Sequence, residues 1–127
     1  VKKGGILNAE LNAGLSRLGH GDLVVVADCG LPIPPGVPVV DLALVHGVPR
    51  FVDVLDALLG DAVFQECIAA TEATGTAAAG WLDERFPARR TVSHEDLKTM
   101  SADARLFVRT GEATAFANAV LVCGVPF

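Results

Sequence analysis

At 127 residues the chain is long enough for one compact domain with a buried core. Its 51% hydrophobic and 20% charged residues exclude a disordered or low-complexity chain. Ten Lys and Arg against fifteen Asp and Glu give a net charge of -5, and no basic run exceeds Lys2-Lys3 or Arg89-Arg90, which excludes a nucleic-acid partner.

Along the chain, Asn8 is placed to cap a helix in which Leu11, Leu15 and Leu18 share a face, with Gly19 as its stop. Leu23 to Ala27 is a continuous apolar run of strand length, which suggests a strand covered on both faces. Asp28 to Gly36 carries too much Pro and Gly for regular structure and reads as a loop. Val39 to Val45 reads as a second strand. Pro49 then opens a helix through Leu59 that turns Phe51, Val54, Leu55 and Leu58 to one side. Ala62 to Ala70 is ambiguous between a strand and an apolar helical turn. Thr76 to Phe86 is Ala-rich and helical, ended by Pro87. Arg90 to Val92 is a short strand, and Ser93 with Asp96 three residues on predicts a helix from His94. Leu106 to Val108 and Ala119 to Cys123 complete the strands. The alternation predicts a three-layer α/β domain over residues 1–127, with a mostly parallel or mixed sheet and helices on both faces.

No apolar run approaches the roughly 20 residues of a membrane-spanning helix, and no stretch of signal-peptide length follows Lys2-Lys3. Cys29, Cys67 and Cys123 are odd in number, widely spaced and in no CxxC pair, which suits packed thiols in a reducing compartment. The expectation is a soluble, cytoplasmic protein with no membrane partner. Val1 ahead of two lysines fits an alternative initiation codon with Met as the true first residue, which intact mass would test.

The candidates for chemistry are few. His20 lies between two glycines before an apolar run, His46 follows another, and His94 stands beside Glu95 and Asp96. Histidine is the side chain whose ordinary pKa lies nearest neutrality, but taken singly each is more often structural than catalytic. Asp28 ends an apolar strand, where ligands of open α/β sheets bind; a carboxylate capping the following loop is an equal reading. Asn118 offers an acceptor and two donors suited to sugar hydroxyls, or is an ordinary polar residue at a strand start. Phe116 is more often core than binding platform. Cys29 has no base beside it in sequence. His20, Asp28, Cys29 and His94 match no compact metal-ligand spacing, and the chain has no GxGxxG, P-loop or GxSxG motif. Arg50, Arg89, Arg90, Arg105 and Arg109 are candidates for a phosphate contact, though a solvated face or ion pair is the commoner role.

Several segments in order resemble the ribose and fucose mutarotase family: Lys2-Lys3-Gly4 with Leu7-Asn8, Ser16 to Asp22, Ala27 to Pro34, Asp41 to Leu44, Gly47 to Phe51, His94-Glu95, Arg109 to Glu112, and Ala117 to Phe127. Residues 2–56 and 91–127 carry the likeness; 71–88 diverges and is short. Gly30 to Pro34 and the Gly124 to Phe127 ending are similar to the ribose-acting members. The resemblance implies an isomerase that interconverts pyranose and furanose ribose, linking transport, which delivers largely pyranose, to a kinase that uses furanose. It implies His20 as proton donor, and Asp28, His94, Phe116, Ala117 and Asn118 as sugar-binding positions. It implies a homodecamer of two stacked pentameric rings with the site at a subunit boundary, and no metal, nucleotide or redox cofactor. A mutarotase for fucose or another sugar, and a sugar-binding protein without catalysis, are the alternatives.

Two points cut across that carry-over. A straight strand from Leu23 to Ala27 would hold His20 and Asp28 roughly 20–25 Å apart. They share a sugar only if the chain bends at Gly19-His20-Gly21 or another subunit supplies one of them. Phe116 stands where the family usually has tyrosine, and the chain has none. Losing that hydroxyl removes one hydrogen bond, commonly ~0.5–1.5 kcal/mol, so weakened but retained activity is expected.

Overall fold

The run Leu23–Ala27 forms strand β1 near the middle of a six-stranded sheet, with Val24 to Ala27 wholly buried. The structure is a computed structural model describing residues Val1–Phe127. In chain order the elements are α1 (Ala9–Ser16), β1, β2 (Val39–Asp41), α2 (Phe51–Asp61), β3 (Phe64–Ala70), α3 (Ala77–Arg85), β4 (Arg90–Val92), α4 (His94–Ser101), β5 (Leu106–Arg109) and β6 (Ala119–Cys123). The strands lie in the order β2-β5-β1-β6-β3-β4. All run parallel except β6, which is antiparallel to both β1 and β3.

Each face of this mixed sheet has its own core. On one, Leu11 of α1, Phe51, Leu55 and Leu58 of α2, and Leu82 of α3 pack on Val24, Val26, Val108 and Leu121. On the other, Leu97 of α4 and Leu31 of the Pro-rich loop cover Val25, Ile68, Phe107 and Val120. Side chains alternate across the sheet, so an unbroken apolar strand needs cover on both sides. The result is the expected three-layer α/β domain. No helix is long and apolar enough to cross a membrane.

Local chemistry sets most boundaries. Asn8 accepts from the Leu11 amide at 2.8 Å and Ser93 from the Asp96 amide at 3.1 Å, so α1 and α4 begin where their caps stand. Three predicted boundaries differ, and one open segment is resolved. β2 stops at Asp41, not Val45, because its only neighbour β5 ends opposite, at Arg109; the apolar Leu44 and Val45 are exposed in a tight turn closed against Val48. α1 ends at Ser16, and Gly19 instead opens the turn that carries His20, with Gly21 at φ +84°. α2 starts at Phe51, after Pro49, because the Asp53 carboxylate accepts from the Arg50 amide and the chain turns helical only beyond it. The ambiguous segment is strand β3, paired with β4 and β6 and irregular at Gln65, where the register shifts.

Candidate functional site

Because β6 alone is antiparallel, its first residues join the carboxyl ends of the other strands along one edge of the sheet. Asp28 follows β1, His46 sits in the turn beyond β2, His94 follows β4, Glu112 follows β5, and Phe116 precedes β6. All five line one open cleft of about 460 Å³, a volume within the range of small-molecule sites.

Asp28 is built in rather than free. Its amide donates to Asn118 Oδ1 at 2.8 Å, its Oδ2 accepts from Asn118 Nδ2 at 2.9 Å, and its Oδ1 accepts from the Gly30 amide at 3.0 Å. The paired contacts fix which way the Asn118 amide points, since only its carbonyl accepts and only its nitrogen donates. Asn118 is fully buried, so it orients Asp28 from below. The two readings of Asp28 are thus compatible: it caps the Gly30 turn and still faces the cleft.

His94 opens α4, its amide donating to the Glu72 carboxylate at 2.6 Å. Its ring stands edge-on to Phe116, centroids 5.2 Å apart. His94 Nδ1 is buried and without a hydrogen-bond partner. Buried polar atoms are nearly always paired, so this orphan is an exception in the fold. Phe116 has φ +62°, a left-handed conformation that is strained for a bulky aromatic residue.

Glu112 lines the cleft too, and the sequence reading did not single it out. It accepts from the Phe51 amide at 3.0 Å and the Thr114 amide at 3.3 Å. A carboxylate there satisfies the first amide of α2 and complements its dipole. The available signal was its isolation, since Glu112 is the only charged side chain from Gly111 to Phe127. Arg109 binds the Cys29 carbonyl with Nε and Nη2, both at 3.3 Å, and Asp41 at 2.9 Å, tying the Asp28 loop to β2.

Three predicted positions are not on the cleft wall. Ala117 is fully buried in the core, and Asn118 reaches the cleft only through Asp28. His20 is at the opposite edge. It precedes β1, lines a separate groove with Val63 and Val125, and bonds Gln65 Oε1 through Nε2 at 3.0 Å. The chain does bend at Gly19-His20-Gly21, with Gly21 at φ +84°, but the bend does not bring His20 to the cleft: β1 beyond it keeps unbroken register with β5 over Val24 to Ala27 and with β6 over Leu23 to Val26. At about 3.3 Å per residue, β1 alone puts about 13 Å between the two ends. His20, Asp28, Cys29 and His94 form no cluster able to hold a metal ion.

Comparison with known proteins assigns the chain to a family. The chain is 53% identical to a D-ribose pyranase from Streptomyces coelicolor and 50% identical to one from Cutibacterium acnes, each alignment covering 100% of both proteins. It is similar to the structure of Bacillus subtilis RbsD complexed with D-ribose, at 40% identity and a TM-score of 0.93 over 100% of both chains. It shares its fold with a fucose mutarotase from Streptococcus pneumoniae, at 22% identity and a TM-score of 0.79 over 95% of each. A profile of the RbsD / FucU transport protein family matches residues 1–126, including the divergent 71–88 segment, so the chain belongs to that family.

Proposed function

We propose that the chain interconverts the pyranose and furanose forms of D-ribose by acid–base ring opening and reclosure, in a site made by two subunits. The observation that carries the composite reading is the separation just described. The cleft holds Asp28, His94 and Phe116 at one sheet edge, while His20 stands at the other. A head-to-tail contact between copies brings the two edges together. Exposed apolar side chains suit both halves of that contact: Leu44 and Val45 beside the cleft residue His46, and Val63 and Val125 beside His20. Full-length relatives named as D-ribose pyranases support ribose as the sugar.

In the proposed reaction the anomeric hydroxyl of the pyranose loses its proton, the C1–O5 bond breaks, and O5 gains a proton. The open aldehyde rotates, O4 attacks C1 and loses its proton, and the carbonyl oxygen regains one. His20 supplies and recovers the proton. Asp28, held by Asn118, accepts from sugar hydroxyls, and His94, on the same cleft wall, contacts the sugar beside it. Phe116 offers an apolar face to the ring carbons. Positioned proton transfer of this kind contributes ~10²–10⁴-fold.

The assembly belongs to the same proposal: a homodecamer of two pentameric rings, working in the cytoplasm, where the free thiols Cys29, Cys67 and Cys123 stay reduced. Light scattering reads the first directly. Saturation-transfer NMR on ribose at equilibrium tests the activity, with fucose and other sugars in parallel and His20→Ala as control. Exchange between pyranose and furanose lines, present with the protein and lost in the variant, is the expected result. Line broadening without exchange would replace the enzyme by a sugar-binding protein.

A further inference from the structure

We infer that Gln65 is a positioning residue for His20, fixing which imidazole nitrogen handles the proton; this rests on the proposed role of His20. Three independent features of the backbone converge on the contact. The Gly19–Asp22 turn that carries His20 is pinned to the end of β6: the Gly21 amide donates to the Cys123 carbonyl at 2.9 Å, and the Cys123 amide donates to the Asp22 carbonyl at 2.9 Å. On the far side of β6, strand β3 takes two steps from Phe64 to Glu66 while β6 takes one, from Cys123 to Val122, so Gln65 is the extra residue of a bulge. Bulges re-aim a side chain beside functional sites. Between the turn and the bulge lies Gly124, whose lack of a side chain makes room: a Cβ there would lie 3.1 Å from Val63 Cγ1 and 3.4 Å from Gln65 Cβ. Gln65 therefore reaches across the end of β6 to His20 Nε2 at 3.0 Å.

The chemistry of an amide suits this place. Its carbonyl accepts the Nε2 proton in the neutral ring and in the imidazolium alike, so it stays bonded through a proton-transfer cycle. Nε2 then keeps its hydrogen and Nδ1 is the nitrogen that gives and takes the sugar's proton, as the partner of a histidine sets its tautomer. A carboxylate in the same position would favour the imidazolium and hold the proton back. Of the other charged and titratable groups around the turn, the Asp22 carboxylate accepts from the Gly19 amide, Glu66 pairs with Arg90, Cys123 is a buried thiol, and Arg17 is exposed on the chain leading into the turn.

The test compares Gln65→Leu, Gln65→Glu and His20→Ala with the parent in the assembled protein, by ring-exchange rate against pH and by 15N NMR of the His20 ring. Gln65→Leu is expected to lower the rate at saturating ribose roughly 3–10-fold with unchanged KM and to mix the two tautomers, the scale of one neutral hydrogen bond. Gln65→Glu is expected to keep the Nε2–H tautomer and to move both the His20 titration and the rate profile to higher pH. Parental rates, profile and tautomer in both Gln65 variants, with His20→Ala inactive, would overturn the positioning role alone. Full activity in His20→Ala would overturn the reading beneath it.

Discussion

Replacing Asn118 with aspartate tests the frame that holds Asp28. The substitution keeps size and keeps an acceptor for the Asp28 amide, but it puts a carboxylate where Nδ2 now donates to Asp28 Oδ2 at 2.9 Å. Two charges at about 3 Å repel by about 6 kcal/mol at an effective dielectric of 20. Protonating one of them is cheaper: a carboxyl of ordinary pKa ~3.9 costs about 1.36 kcal/mol per pH unit to keep neutral, hence about 1.5 at pH 5 and about 4 at pH 7. Asp28 is half-buried, so solvent lowers the repulsion, and the expected loss is about 2–4 kcal/mol at pH 7. The sign follows from linkage. The shared proton raises the folded pKa above the unfolded one, so the variant matches its parent below about pH 4 and falls behind as pH rises towards the folded value. Chemical denaturation of both proteins at pH 5 and pH 7, at one protein concentration because assembly adds to stability, measures the difference. A deficit at least about 1 kcal/mol larger at pH 7 is expected. An equal deficit at both pH values, or none at pH 7, would refute the Asp28–Asn118 geometry.

Other consequences are as direct. Gly111→Ala would place a Cβ 2.2 Å from the Val48 carbonyl oxygen, a clash with backbone that no side-chain movement relieves; loss of more than about 3 kcal/mol or of soluble protein is expected, and a parental melting curve would contradict the packing of the β5 end against the Val45–Val48 turn. Phe116→Tyr is expected to raise the ring-exchange rate by restoring a hydroxyl among the cleft's polar groups; slower turnover would show a site rebuilt around phenylalanine. Burial pushes the Cys67 thiol up to about 12 and also raises Cys123, whereas Cys29 is partly exposed at the cleft. Since the thiolate is the reactive form, native labelling at pH 8 should modify Cys29 first and Cys67 only on unfolding, and equal rates at all three, read by peptide mass, would contradict the core.

Much of the fold was legible because local chemistry decided it. Leu23 to Ala27 and Ala119 to Cys123 are unbroken apolar runs that a two-sided sheet requires, and Ser93 announced α4 by its cap. Val39 to Val45 misled because hydrophobicity stood in for pairing. Nothing local says that β5 stops opposite Asp41, or that Leu44 and Val45 stay exposed. The cleft was half legible. The position of Asp28 at a strand end suggested a ligand edge, and family likeness supplied His94 and the Phe116 to Asn118 segment. That β6 runs against its neighbours, bringing Asn118 under Asp28 across 90 residues, is a property of topology. The same holds for Gln65, which meets His20 only because a bulge and Gly124 let it. The tension between His20 and Asp28 could be read from strand length alone: the turn at Gly19–Asp22 leaves His20 at one end of a straight β1 and Asp28 at the other.

The central claim is that one copy's His20 serves another copy's cleft. Co-expression of His20→Ala with Asp28→Asn, each separately deficient, measures it by ribose ring exchange in the mixed assembly. With random neighbours in a head-to-tail ring, about a quarter of the boundaries join an intact cleft to an intact His20, so about a quarter of the parental exchange should return. Assembly of the two variants into mixed rings with no exchange above that of either alone would contradict the shared site.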